Sequence, residues 1–348
     1  MKKIIFKLAL ALAPIVLYLA VFVAFEPNNY FGLRETGSDN SPISRIRAFE
    51  KEPHENILLG DSRMAHFDMD LVDQVSGVQW SNLAYGGASL EESIDEFYYV
   101  YEQHPEIERV LMSISFYTLN ANYRTANRMA TVETQLANPV AYISNLEYNI
   151  NTLTVIGDKI RGLPDAEETA EHTPDDYLPN GQRKDLVAYA AILYQNCAKA
   201  GTLPMAEGYS STQSMVDAMD SGELDGEALA AAMESCTEAD SKYAINEPAL
   251  ERLLELVEFC KDNGVELTLL VPPMDDSLYR YVCEPLGIDD AMRGALDTIR
   301  SSGARVLDYE WTEMPHWDDT AYFDGFHLDT RHGLPQFTQE LFTRVMED

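Results

Sequence analysis

One serine in this chain has neighbours suited to nucleophilic chemistry. Ser62 ends the run Gly60-Asp61-Ser62, directly after the apolar stretch Ile57 to Leu59. A short continuous apolar run predicts a buried parallel strand, and Gly60 permits a sharp turn at its end. Such a handover from strand to helix lies at the sheet's carboxyl edge, where ligands bind. An alcohol there needs a base within hydrogen-bond reach, and the base needs a partner that fixes its tautomer. Of the 7 histidines, His327 is the best placed, in a loop after the last expected strand and before the closing helix. Asp324, three residues earlier, can face the imidazole across a turn. Taken singly, Gly-Asp-Ser also reads as a plain turn, and Asp-x-x-His as an ordinary loop histidine. Asp329 to His332 repeats the second pattern.

The elements that must position these residues read as an α/β fold. Expected strands are Asn56 to Leu59, Val78 to Leu83, Arg109 to Phe116, Val265 to Val271 and Arg305 to Leu307. Ser89 with Glu92 makes a capping box for a helix running to about Gln103. Asn246, Pro248 and Gly264 bracket another helix in the Pro-at-start, Gly-at-end sense. Ile288 to Ser301 and Leu334 to Met346 supply two more. Strands alternating with helices through short links predict a doubly wound parallel sheet. From Asn120 to Tyr243 the alternation stops, and helical stretches such as Asp185 to Ala200 and Gly226 to Cys236 predict an inserted, mostly helical segment.

The amino terminus sets the compartment. Lys2, Lys3 and Lys7 lead into an apolar span over Ile4 to Phe25, long enough to cross a bilayer as a helix. Ala11-Leu12-Ala13 sits inside that span and precedes Pro14, so the segment reads as uncleaved. Basic residues on its amino side place that end in the cytoplasm and everything after Glu26 outside. Pro27 to Asn40 reads as a polar tether, and Ser41 to Glu52 as a short helix. With 25 basic and 58 acidic residues the formal charge is −33, which excludes nucleic acid as a partner and disfavours anionic lipids and wall polymers. Cys197, Cys236, Cys260 and Cys283 fall in a disulfide-permissive compartment. Three pairings are possible, and Cys197 with Cys236 is preferred because both lie on expected helices of one insertion. No two cysteines are spaced as a metal knuckle, so neither metal nor other cofactor is expected.

These blocks resemble the SGNH (GDSL-like) hydrolase and acyltransferase superfamily. Gly60-Asp61-Ser62 is similar to its first block. Asn82-Leu83-Ala84-Tyr85-Gly86-Gly87 is similar to the second, and Asp324-Gly325-Phe326-His327-Leu328-Asp329 with Gly333 to the last. The resemblance implies a flavodoxin-like sheet of SGNH type, with Ser62 as nucleophile, His327 rather than His332 as base, and Asp324 as its partner. It puts the amides of Ser62 and Gly87 in the oxyanion hole. The third block, Gly-x-Asn-Asp, is missing; Ser115-Phe116-Tyr117-Thr118-Leu119-Asn120 stands there, leaving Asn120 or Ser115 as the substitute donor.

With the anchor and Arg63 after the serine, the chain looks like the membrane-anchored envelope acyltransferases, such as the D-alanyl transfer protein of teichoic-acid modification and the alginate acetyltransferases. That implies acyl transfer to an envelope polysaccharide or wall polymer, with a membrane-bound O-acyltransferase as partner. Arg63 would steady substrate or orient the rim; an ion pair with a nearby carboxylate is its plainer role. An esterase or deacetylase releasing the acyl group to water, and a non-catalytic envelope scaffold, are the alternatives. The expected organisation is an anchor over 1–27, a linker over 28–50, an SGNH-like domain in two parts over 51–120 and 246–348, and the insertion over 121–245. His316-Trp317-Asp318-Asp319 has the residue types of a sugar or cation site, with loop acidity as the preferred reading, and Asp275-Asp276 and Asp289-Asp290 read as helix-start charges.

Overall fold

The computed structural model describes residues 2–34, 41–122, 127–161, 173–179, 181–198, 208–234, 243–311 and 314–347. In chain order its main elements are α1 (Lys2–Phe25), α2 (Pro42–Lys51), β1 (Asn56–Leu59), α3 (Ser62–Ala65), α4 (Met69–Ser76), β2 (Trp80–Asn82), α5 (Leu90–Gln103) and β3 (Arg109–Ser113). Then follow α6 (Met129–Ala137), α7 (Pro139–Ile143), α8 (Leu146–Arg161), α9 (Lys184–Cys197), α10 (Thr212–Asp220) and α11 (Gly226–Glu234). The chain closes with α12 (Glu247–Asn263), β4 (Glu266–Val271), α13 (Ile288–Ser301), β5 (Arg305–Asp308) and α14 (Gly333–Val345).

The five strands form one parallel sheet in the order β2-β1-β3-β4-β5. Every residue of β1 is buried, as expected for a strand covered on both faces. β3 stops at Ser113, short of the expected Phe116, because side chains there capture the backbone. Ser115 N–H donates to the Thr118 hydroxyl at 3.0 Å and Thr118 N–H to the Ser115 hydroxyl at 3.2 Å, a turn that competes with the ladder. α5 carries the expected capping box between Ser89 and Glu92, and α12 begins on an Asn246 cap and ends on Gly264 at φ 72°. α14 closes one side of the core: Phe342 meets Phe67 and Trp80 edge-on, with ring centroids 5.8 and 5.4 Å apart. Burying each such ring contributes roughly 1.5–3 kcal/mol.

Two compact units cut across the sequence order. One comprises Met1–Pro53 with Arg128–Ala166, the other His54–Asn127 with Glu167–Asp348. The sheet and α9 to α11 belong to the second unit, whereas α6 to α8 belong with α1. In the first unit α1 is long and apolar enough to cross a membrane. The segment after it is no free tether: Tyr30 is 7 % exposed and stacks on Tyr142 at 4.1 Å. Aromatic burial there outweighs the polar composition that suggested a linker.

Cys197, Cys260 and Cys283 are free, buried thiols, so Cys197 does not carry the expected disulfide. It closes α9 facing the core, where burial pushes its thiol up to about 12. Cys236 lies outside the described residues, as do the acidic run 165–171 and residues 35–40 of the expected tether.

Candidate active site

β1 delivers Ser62 to the carboxyl edge of the sheet beside the point where strand order reverses, the position of ligand crevices in open α/β sheets. Gly60 makes the delivery possible. Its φ is 143°, and a Cβ there would stand 2.0 Å from the Ser113 hydroxyl on the neighbouring strand. Asp61 then caps α3, accepting the Arg63 amide at 3.1 Å. Gly60→Ala is expected to cost about 2–4 kcal/mol, from strained backbone plus overpacking, with Ser113→Ala in the same chain recovering part of it. Urea unfolding of the wild type and these two variants measures both effects.

Asp324 and His327 stand on a tight loop whose neck is the antiparallel bridge between Tyr322 and Leu328. Asp324 Oδ1 accepts the amides of Phe326 at 3.0 Å and His327 at 2.8 Å, a turn built by the aspartate itself. Gly325 supplies the positive φ of 82° that this turn requires. The result is a continuous relay: Ser62 Oγ lies 2.6 Å from His327 Nε2, and His327 Nδ1 lies 2.8 Å from Asp324 Oδ2. The carboxylate fixes the tautomer in which Nδ1 carries the proton and Nε2 accepts from the serine. The two side chains are 22 % and 17 % exposed, open enough for a substrate to reach.

The competing pair Asp329 and His332 folds into the same local turn, with 3.0 Å between Nδ1 and Oδ1. Its imidazole is 67 % exposed, at the mouth of α14. The two loops differ in what faces the second nitrogen, and Ser62 faces only His327.

Around the relay the structure adds residues that sequence reasoning missed. Arg183, immediately before α9, is 0 % exposed. Its guanidinium donates to the carbonyls of Asp319 at 2.6 Å, Tyr322 at 2.7 Å and Phe323 at 2.9 Å, tying down the segment that leads into Asp324. Nε donates to Asp185 at 2.7 Å. From α9, Tyr189 sets its ring 6.3 Å from the His327 ring, and Phe326 lies edge-on to it at 5.4 Å.

Arg63 turns inward. Its guanidinium sits 4.1 Å above the Phe326 ring and donates to Glu310 at 3.1 Å, with both side chains almost fully buried. Of the roles read from sequence, pairing with a nearby carboxyl group and orienting the rim fit this placement, because the head group does not reach the surface. Burial pushes the Glu310 carboxyl up to about 8, with Arg63 pulling in the opposite direction. Between the ordinary carboxyl value of about 4.3 and that raised value, the folded chain holds a proton that the unfolded chain has released. Stability therefore falls as pH rises across this window. Urea titrations at pH 5, 6, 7 and 8 are expected to show the decline, and Glu310→Gln to flatten it.

Gly87 has φ 69° and ends a loop pinned to the serine turn, where Tyr85 N–H donates to the Gly60 carbonyl at 3.2 Å. Asn82 stiffens the same loop, donating to the Met64 carbonyl at 2.9 Å and accepting from Ala84 at 3.0 Å. A cavity of about 380 Å³ opens at Gly87, lined among others by Glu91, Tyr117, Asn246 and Arg252. Asn120 is 1 % exposed. It pairs with Ile245 across a short bridge, accepts from Asn122 N–H at 2.9 Å and lies beside the Cys197 thiol. Ser115 is engaged in its own turn with Thr118. Among the described residues no cluster of histidine, cysteine and carboxylate side chains is arranged to hold a metal.

Chemically, the arrangement can deprotonate an alcohol and hold the resulting imidazolium against a carboxylate. Compared with protein-family models and with curated proteins, the chain matches none.

Proposed function

We propose that this chain is a membrane-anchored, extracytoplasmic serine O-acyltransferase acting through a Ser62–His327–Asp324 acyl-enzyme. The single observation that carries the reading is the unbroken relay, 2.6 Å from serine oxygen to imidazole and 2.8 Å from imidazole to carboxylate. His327 Nε2 takes the proton as Ser62 Oγ attacks an acyl carbonyl, and Asp324 stabilises the imidazolium. The amides of Ser62 and Gly87 receive the developing oxyanion. Collapse expels the donor's alcohol or thiol, which leaves with the proton from His327. An acceptor hydroxyl then gives its proton to His327 and takes the acyl group, freeing Ser62.

Strand order β2-β1-β3-β4-β5 supports a doubly wound, flavodoxin-like sheet of SGNH type. The apolar α1 and the lysines in its first turns support a cytoplasmic amino end with the catalytic unit outside. In this reading the acceptor is a hydroxyl on an envelope polysaccharide or wall polymer, bound in the cavity beside Gly87. A multi-spanning O-acyltransferase in the same membrane supplies the acyl group.

The test is product partition. The full chain in detergent, given an activated acetate ester and a polysaccharide, is expected to yield acetylated polysaccharide in preference to free acetate. Free acetate alone, formed at a rate that polysaccharide leaves unchanged, would establish an esterase. No turnover of either kind would leave a scaffold.

A further inference from the structure

The first unit exposes an apolar stripe that the catalytic reading does not use. On α8, Leu146, Ile150 and Leu153 are 73 %, 54 % and 65 % exposed, and Val140 on α7 is 71 % exposed. The α8 residues recur at i, i+4 and i+7, one face of a helix, while Glu147 and Thr154 are exposed beside them. Four large apolar side chains in water on two neighbouring helices mark a binding surface.

What covers them follows from α1. Large apolar side chains of α1 stand exposed as far as Tyr18, at 48 %; beyond it the helix buries one face, with Phe22 1 % exposed and edge-on to Tyr142 of α7 at 5.9 Å, while Ala20 and Ala24 stay exposed. From Ile4 to Tyr18 the helix spans about 22 Å at ~1.5 Å per residue, against a hydrocarbon core of roughly 30 Å. A spanning α1 must therefore sink its last turns into lipid, and those turns are already packed on α7 and α8. The buried carboxylate at that level has internal partners, as lipid demands. Glu26, 1 % exposed, accepts from the Tyr142 hydroxyl at 2.5 Å and from Asn28 N–H at 2.8 Å.

We infer that α7 and α8 form a second membrane contact, with Val140, Leu146, Ile150 and Leu153 inserted at the acyl-chain boundary of the outer leaflet. The inference rests on α1 spanning the bilayer. The contact is apolar, in keeping with a chain of net charge −33 that anionic headgroups would repel, and its occupant is lipid rather than protein. It gives the first unit a second point of attachment beside α1.

The test is nitroxide accessibility of the full chain in phosphatidylcholine nanodiscs. Single labels go in at L146C, I150C and L153C, at E147C and T154C on the polar flank, and at L12C in α1. Cys236 is replaced by serine, and the other native thiols are buried. Labels at 146, 150 and 153 are expected to favour oxygen over a water-soluble nickel chelate several-fold more than those at 147 and 154. Equal nickel access at both sets, with Leu12 in lipid, overturns the inference and leaves the anchor standing. Shielding of all three from both reagents, meaning coverage by a protein chain, also overturns it. Nickel access at position 12 removes the anchor and this inference together.

Discussion

Ser62→Ala is expected to lower turnover of activated acyl esters by about 10⁴- to 10⁶-fold, with His327→Ala close behind, the scale set by dismantled serine relays. The two losses should not add. Either substitution removes the same event, transfer of the serine proton across the 2.6 Å contact, so the double variant should resemble each single one. Asp324→Asn should retain folding yet lose about 10⁴-fold, because an amide facing Nδ1 permits the wrong tautomer. His332→Ala is the control. Its turn copies that of His327 but lies apart from the serine, and activity should be unchanged. Steady-state kinetics on the four single variants and the double variant, with circular dichroism to confirm folding, decides this.

Arg183→Met should produce the largest loss outside the relay. A buried guanidinium satisfies three carbonyls within a few residues of Asp324. Removing it strands those acceptors, at about 1–3 kcal/mol each before relaxation. A net destabilisation of about 3–5 kcal/mol is expected, as for breaking other buried charged networks. The more specific expectation concerns rate. Below the melting temperature of the variant, kcat should fall while KM changes little, since the loop bearing Asp324 and His327 loses its register against Ser62. Arg183→Lys should restore only part of both, because an ammonium cannot reproduce a planar fork spread over three carbonyls. A variant that is less stable but has wild-type kcat would make Arg183 structural only.

The sheet and the relay were legible in the sequence because each part carries its own local signal. An apolar run ending in glycine marks β1, helix caps mark α5 and α12, and Asp-x-x-His builds its own turn. Choosing His327 over His332 was not a local matter, since both fold alike; it needed the resemblance of the surrounding block. The supporting residues were hidden for a different reason. Arg183 acts on Tyr322, 139 residues away, and Glu310 meets Arg63 across 247, and neither sits in a pattern that a single charged residue can announce. Burial overrode composition twice more. The polar segment after α1 packs through Tyr30, and Cys197 ends a helix facing the core instead of a disulfide partner. Where the third block is missing, Asn120 accepts from Asn122 N–H and lies beside the Cys197 thiol, and Ser115 makes a turn with Thr118. The cavity at Gly87 is lined by Tyr117 together with Asn127 and Asn246.

The most direct test of the central claim is chemical. A fluorophosphonate probe reacts with a serine hydroxyl only where a neighbouring base has activated it. Incubated with the full chain in detergent and followed by peptide mass spectrometry, the probe is predicted to add to Ser62 alone, and His327→Ala is predicted to abolish the adduct. Labelling that persists in Ser62→Ala, or an unlabelled wild-type chain that is demonstrably folded, would contradict the account.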